Sequence, residues 1–489
     1  MRLGMKRLLA TLTLVVGILV SACQTAPLHA ARKASSDRYL RFVRDYADTM
    51  LAHGRDRCGS IQSPMFVSVL DRNTLAMPQN LPPIEGIRKG DRSYRGGNPM
   101  HDENFYLLLH DLSRVTGDTR YASEADAALG WFLTHAQSPA TNLFAWGEHI
   151  YWDFESETMG GNDIHEYYRP WVLFDESYRL APEAMARHAR GLWEHQIADH
   201  EHGYFSRHAT WSKHVTHRGA EFPRHAGFYI AQWAEAYRRT QDAVFLQAIE
   251  TLVNYFERVR HPETGLLPSV NPEGKNDVIA WPLSQLSLSI DLWDTADKVP
   301  RRLAEALRVS ARKNDESFLR VQSEGRFERN GIIAASPYQT EVHASTGGCD
   351  LWLSGYGKTS NAGAAMICYE RFLQTKDTQY RSIVLQVAQR YLTSEPDAAL
   401  ELHPCAFGDA IYLMIAAHRL EHDPRYLEQA GHFADQSITV FWDHGPLPRA
   451  SSRVQHYESI TRSDTLARSL LLLWSELTKK NLDLRYLDR

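Results

Sequence analysis

The feature that most constrains this chain is a pair of helices that recurs along it. An apolar helix rich in small residues ends in a short turn, often T-x-D or x-D-P, and an amphipathic helix follows. Residues 103–133 (ENFYLLLHDLSRVTGDTRYASEADAALGWFL) and 227–256 (GFYIAQWAEAYRRTQDAVFLQAIETLVNYF) show the pattern clearly, as do 363–392 and 409–438. Segments 168–197 and 281–313 are weaker copies. A helix near 37–53 has no partner before it and one near 461–479 has none after it, so the two ends can pair and close a ring. Repeats of this kind bury a continuous core only by stacking on their neighbours. The first helix of each pair is apolar nearly all round and the second only on one face, which assigns them to an inner and an outer layer. The pattern predicts an all-α fold, an (α/α) toroid of six or seven hairpins with short β insertions. It occupies residues 36–489 as one domain, with an open helical solenoid as the alternative.

The first residues read as an export signal. MRLGMKR is basic, and LLATLTLVVGILV is an apolar run too short for an ordinary membrane span. The run ends in VSAC, which resembles the lipobox of bacterial lipoproteins. That resemblance makes residues 1–22 a signal peptide, Cys23 the lipidated residue, and 23–35 a linker. The expected location is the cell envelope, with the membrane reached through the lipid anchor and Gln24 favouring the outer membrane; an ordinary cleaved signal is the alternative. Cys58, Cys349, Cys368 and Cys405 show no CxxC spacing of the metal-binding kind, and Cys368 lies on an apolar helical face.

Charge is nearly balanced, with 54 basic and 59 acidic residues, so no nucleic-acid partner is expected. The 12 Trp, 22 Tyr and 23 His suit a sugar-binding cleft, where a pyranose face stacks on a ring. The expected partner is an oligo- or polysaccharide, and the chain is expected to be a monomer.

In a toroid every inner helix starts at the same rim. The turns before outer helices are bland (TGDT, LAPE, TQDA, TKDT, EHDP), whereas the inner-helix entries are crowded with ionisable groups. They include RGGNPMHDENF (95–105), GGNDIHEYYRPW (160–171), HRGAEFPRHAGFY (217–229), EGKNDVIAWPL (273–283), ELHPCAFGD (401–409) and SSRVQHYESITRSD (451–464). Proline recurs in them at Pro99, Pro170, Pro223, Pro282 and Pro404, where a first helical turn tolerates it. Two insertions join the same rim: TNLFAWGEHIYWDFESE (141–157), and a section from about 316 to 358 that reads as the short strands FLRVQ and GIIAAS and holds His343. Polar residues borne by loops on a rigid scaffold mark a binding cleft.

β-Elimination on a uronic acid polymer needs the sugar carboxylate neutralised and a base for the neighbouring proton. His101, Glu148, His149 and His165 are candidates to hold a divalent metal, Mn or Ca, or the substrate carboxylate. A seven-hairpin toroid with His and Glu ligands resembles polysaccharide lyase family 2, the pectate lyases. That resemblance implies an Mn-type metal site and an arginine base beside a ligand. Arg169, four residues after His165, and Tyr168 are the residues read as base and proton donor, with Arg224 and His225 clamping the sugar. Trp146, Trp152 and Trp281 are expected to stack on sugar rings, and Asp350, Arg453 and Tyr457 to contact substrate. Glycoside hydrolysis is the runner-up. It needs paired carboxyl groups, for which Asp102, Glu103, Glu148, Asp153, Glu166, Asp350 and Glu458 are available. A histidine-based sugar epimerase and a non-catalytic glycan-binding lipoprotein are the further alternatives.

Overall fold

The computed structural model describes residues 37–216, 219, 221–269, 279–324, 331–338, 347–352, 358–480, 482–486 and 488–489. The leader, Cys23 and His343 lie outside these. The inner helices are α2 (Pro99–Thr116), α4 (Phe174–Leu180), α6 (Pro223–Thr240), α8 (Pro282–Ala296), α10 (Asn361–Thr375), α12 (Pro404–Glu421) and α14 (Ser463–Thr478). The outer ones are α1 (37–53), α3 (Arg120–His135), α5 (Pro182–Gly191), α7 (Ala243–Val259), α9 (Arg301–Glu324), α11 (Thr378–Tyr391) and α13 (Pro424–Ser437). The fold is the all-α toroid of hairpins that the repeat predicts.

The recurring x-D turn has a simple physical basis. Inner helices end on a left-handed residue, Gly117, Gln241, Lys376 or His422, whose N–H returns to the last turn. The very next residue is an aspartate. Asp242, Asp377 and Asp423 each cap the outer helix by accepting from the N–H two residues on. One residue stops a helix and the next starts its partner, so the chain reverses within two residues.

At the opposite rim Pro99, Pro223, Pro282 and Pro404 open inner helices at the first or second position. Pro170 does not. The helix expected from Tyr168 begins only at Phe174, because the residue before a proline is driven out of the helical region. Glu103 then accepts from the Val172 N–H at 2.9 Å and holds the segment open. The second difference is FLRVQ, which forms the end of α9 and no strand. Phe318 and Val321 are buried three residues apart while Arg320 between them is half-buried, a helical spacing. GIIAAS does give a strand, Ile333–Pro337.

The ring closes where α14 packs on α2. A two-residue strand, Val69–Leu70, pairs antiparallel with Tyr457–Glu458 and ties the two ends of the chain together. On α1, Tyr46 shares a 3.0 Å hydrogen bond with Tyr457. The last described residues run through the bore. Tyr486 donates to Asp409 of α12, Asp488 accepts from Asn104 of α2 and Thr465 of α14, and Arg489 grips Asp291 of α8. The bore is thus floored by the chain's own tail and becomes a cleft. Among the described residues no helix is long and apolar enough to cross a membrane. Cys58, Cys349, Cys368 and Cys405 are free thiols, and Cys368 is fully buried core.

Candidate active site

The inner-helix rim carries a compact ionisable cluster between α2 and α6. Its geometry follows from a short antiparallel pair, Ile164–His165 with Ala209–Thr210, in the register Ile164 to Thr210 and His165 to Ala209. The next residues along this ladder are Glu166 and His208, which are thereby brought face to face. The hairpin Ile150–Asp153 with Thr158–Gly161, extended by Gly96–Gly97, sets His149 beside them. Gly147 lets the strands approach this closely, since a Cβ there would lie 2.9 Å from the Glu166 carbonyl oxygen.

Glu166 is the centre and is fully buried. Its Oε1 accepts from the Arg207 guanidinium and from His225 Nε2 at 3.1 Å. Its Oε2 is faced by His208 Nε2 at 3.0 Å and His149 Nε2 at 3.3 Å. Behind His149, Asp91 Oδ1 lies 2.9 Å from Nδ1, which puts a proton on Nδ1 and aims Nε2 at Glu166. Glu148 Oε2 is 3.3 Å from the same Nε2. Arg88, largely exposed, reaches Asp91 at 2.5 Å and Glu148 at 2.7 Å from the solvent side.

The electrostatics separate the two glutamates. Burial acts to raise Glu166, but three imidazoles and the Arg207 charge outweigh it and hold the carboxyl well below its usual range. Glu148 goes the other way, up to about 8, through burial and the negative charge of Glu166. Burial pulls the His149 imidazolium down, yet Asp91, Glu166 and Glu148 take it up to about 9. His225, sealed in the core, is lowered to about 3 by burial.

The set His149, Glu166 and His208 fits a divalent cation. Its three ligand atoms lie within 4.8 Å of one another, and Glu166 Oε2 is buried without a hydrogen bond of its own. Two imidazoles and a carboxylate are donors that Mn-type ions and zinc accept. Asp91, Glu148 and His149 form a second, overlapping group.

Several sequence-based assignments move. His149 and Glu148 belong to the cluster, and Glu166 is its hub. His165, one residue before that hub, points away and is held by Gln196 at 2.8 Å, its pKa lowered to about 4 by burial. His101, on α2, is buried beside Arg169, and neither His101 nor His165 belongs to a ligand group among the described residues. The alternation of a strand explains His165: its neighbour Glu166 faces the cleft, so His165 cannot. Trp146 is fully buried and stacked on Trp171 at 4.0 Å, so it packs the core and presents no face to sugar. Tyr457 is likewise buried against Tyr46. Trp281 is 39 % exposed at the entry to α8, and Trp152 is half-buried against Trp131. Asp350 is exposed near the entry to α10. Arg453 is half-exposed and donates to the Ala399 carbonyl. Tyr168, Arg169 and Arg224 line the floor of the cleft, next to the cluster.

Sequence reasoning missed Asp91, Arg207 and His208. They lie in connecting segments away from the inner-helix entries. The signal was available in the Arg207–His208 dipeptide, an arginine adjacent to a possible ligand.

Residues 77–268, under half of the chain, match the model of a family described as periplasmic pectate lyase, and the span contains every member of the cluster. Compared with curated proteins by sequence, the chain matches none. Among solved structures it is similar to a D-mannose isomerase, at 9% identity and TM-score 0.46, covering 89% of this chain and 97% of that one. It is similar to the GH76A α-1,6-mannanase from Salegentibacter sp. HEL1_6, at 9% identity and TM-score 0.45, covering 89% and 99%. The cellobiose 2-epimerase from Bacillus thermoamylovorans B4167 follows at 11% identity and TM-score 0.43, covering 90% and 100%.

Proposed function

We propose that this protein is an exported polysaccharide lyase that cleaves uronic-acid-containing glycan by β-elimination, anchored to the envelope through Cys23. The observation that carries the reading is the convergence of His149 Nε2 and His208 Nε2 on one oxygen of buried Glu166, with Arg207 on the other. A divalent cation held by His149, Glu166 and His208 would supply charge to neutralise the substrate carboxylate and acidify the adjacent C–H. Asp91 holds the proton on Nδ1 of His149, so the proton that a metal would displace is the one on Nε2. The role of base passes from Arg169 to Arg207, the arginine that directly precedes a ligand, as the likeness to the pectate lyases implies. For this Arg207 must first release one guanidinium proton to solvent, which a cation sharing Glu166 would favour by adding positive charge beside it; the nitrogen so freed takes the C–H proton. Glu148, whose carboxyl is raised by burial and the neighbouring Glu166, hands a proton to the departing glycosidic oxygen.

The test incubates the protein from residue 24 onward with polygalacturonate and with neutral polysaccharides, with and without chelator. Ultraviolet absorbance rising together with reducing ends, and lost with chelator, supports the lyase and its metal. The divergence of Glu148 and Glu166 favours one second reading, a glycoside hydrolase with Glu148 as acid. Reducing ends without absorbance would establish it in place of the lyase.

A further inference from the structure

Arg207 and His208 sit in a gap between two short ladders. Tyr204–Phe205 pairs with Ile197–Asp199 on one side, and Ala209–Thr210 pairs with Ile164–His165 on the other. The residues between, Ser206 to His208, belong to neither strand, yet they carry two of the groups that face Glu166. A stretch outside any ladder needs its polar groups satisfied by other means. Gln196 supplies them. It is the last residue of the π turn Leu192–Gln196 that closes α5, and it is fully buried. Turns of this kind are rare and collect at functional sites. Its Nε2 donates to the Ser206 carbonyl at 2.8 Å and to the Arg207 carbonyl at 3.4 Å. Two carbonyl acceptors fix which end of the amide is nitrogen, so Oε1 accepts from His165 Nδ1 at 2.8 Å. One side chain thus spans both strands, the one that leads into Glu166 and the one that bears Arg207 and His208. Unmaking these bonds in a buried place is costly, because it leaves two carbonyls and an imidazole N–H without partners.

We propose that Gln196, through His165, is a positioning residue that sets the distance between Glu166 and the Arg207–His208 pair, and with it the metal affinity and turnover of the cluster. The inference rests on the reading of that cluster as a metal-assisted lyase centre. It also gives His165 a role: the imidazole is the anchor by which Gln196 grips the strand leading into Glu166. Gln196 lies behind the strands, sealed from the cleft, so it acts on kcat and leaves KM alone.

The test compares wild type with Gln196→Met, which keeps the length of the side chain and removes its hydrogen bonds. Gln285→Met is the control. Gln285 is also buried and also makes three side-chain hydrogen bonds, to Leu267, Gly265 and Ser317, away from the cluster. Mn(II) affinity of the chelator-stripped protein from residue 24 onward is measured by calorimetry, with thermal midpoints recorded. Turnover of polygalacturonate is followed by ultraviolet absorbance in saturating Mn(II). Both variants should lose thermal stability. Only Gln196→Met should bind Mn(II) about 10-fold more weakly and lose about 100-fold in kcat with KM unchanged. Wild-type affinity in Gln196→Met, or an equal loss in Gln285→Met, overturns the proposal. If wild type binds Mn(II) but forms no unsaturated product, the lyase reading fails and the affinity ratio alone decides for or against Gln196. If wild type binds no Mn(II), both fall. Should Gln196→Met not fold, Gln196→Asn, one methylene too short to span both strands, takes its place with the same expected losses.

Discussion

Removing Asp91 tests the cluster without touching the His149, Glu166 and His208 set. Among the described residues Asp91 Oδ1 lies 2.9 Å from His149 Nδ1, and its other oxygen accepts from Arg88, whose side chain is 64% exposed. In Asp91→Ala the imidazole loses the partner that fixes its tautomer and ring angle, and some of its basicity as a ligand. Losses of this kind cost about 10- to 100-fold in metal affinity, or about 1.4 to 2.7 kcal/mol. The Arg88 ion pair is solvent-screened and contributes at most about 1 kcal/mol, so global stability should change little. Asp91→Asn keeps an acceptor oxygen and loses only the charge, so its loss should be smaller. The assay is calorimetric titration of Mn(II) into chelator-stripped protein, with denaturant unfolding as the control. Asp91→Ala binding Mn(II) within twofold of wild type would refute the idea that Asp91 orients a ligand. Wild type failing to bind any divalent ion would refute the metal centre itself.

Glu166→Gln should abolish turnover. It should also cost about 3 kcal/mol in urea unfolding, because it leaves Arg207 unpaired in a mostly buried site. Arg371 is fully buried and grips Asp315 at 2.8 and 2.6 Å, so Arg371→Met should lower stability by about 3–5 kcal/mol. Much of that loss should return in Arg371→Met with Asp315→Leu, read from the same denaturation curves. Asp464 is raised to about 7, chiefly by burial. Its folded-state value exceeds the unfolded one, so its contribution is full below about pH 4 and is lost as pH rises through about 7. Wild type should therefore lose up to about 4 kcal/mol relative to Asp464→Asn between pH 4 and pH 8, followed by unfolding at each pH. A gap that is constant across that range would rule this out.

The toroid was legible because its causes are local and repeat. A left-handed stop residue followed by a capping aspartate, or a proline at the opposite end, appears as a short motif at several hairpins, and inner and outer helices differ in how much of their surface is apolar. Where the reading failed, a contact distant in sequence had decided the outcome. Pro170 looked like the other entry prolines, but the second hairpin stays extended because Glu103, sixty-nine residues earlier than Val172, accepts its N–H. The site was half legible for the same reason. Glu148, His149 and Glu166 stood out as crowded ionisable residues, yet nothing near them in sequence distinguishes Glu166, which faces the cleft, from His165, which does not. That choice is made by pairing with Ala209, forty-four residues away from His165, and the same register delivers His208 and Arg207. A strand only two residues long has no hydrophobic alternation to announce it, so its partner could not be read in advance. The consequence is that the centre of this cleft is specified by a β contact inserted between two hairpins of an otherwise helical ring. Substitutions that disturb the register of Ile164 against Thr210 should therefore separate Glu166 from His208 and destroy the proposed metal site while leaving the hairpins folded.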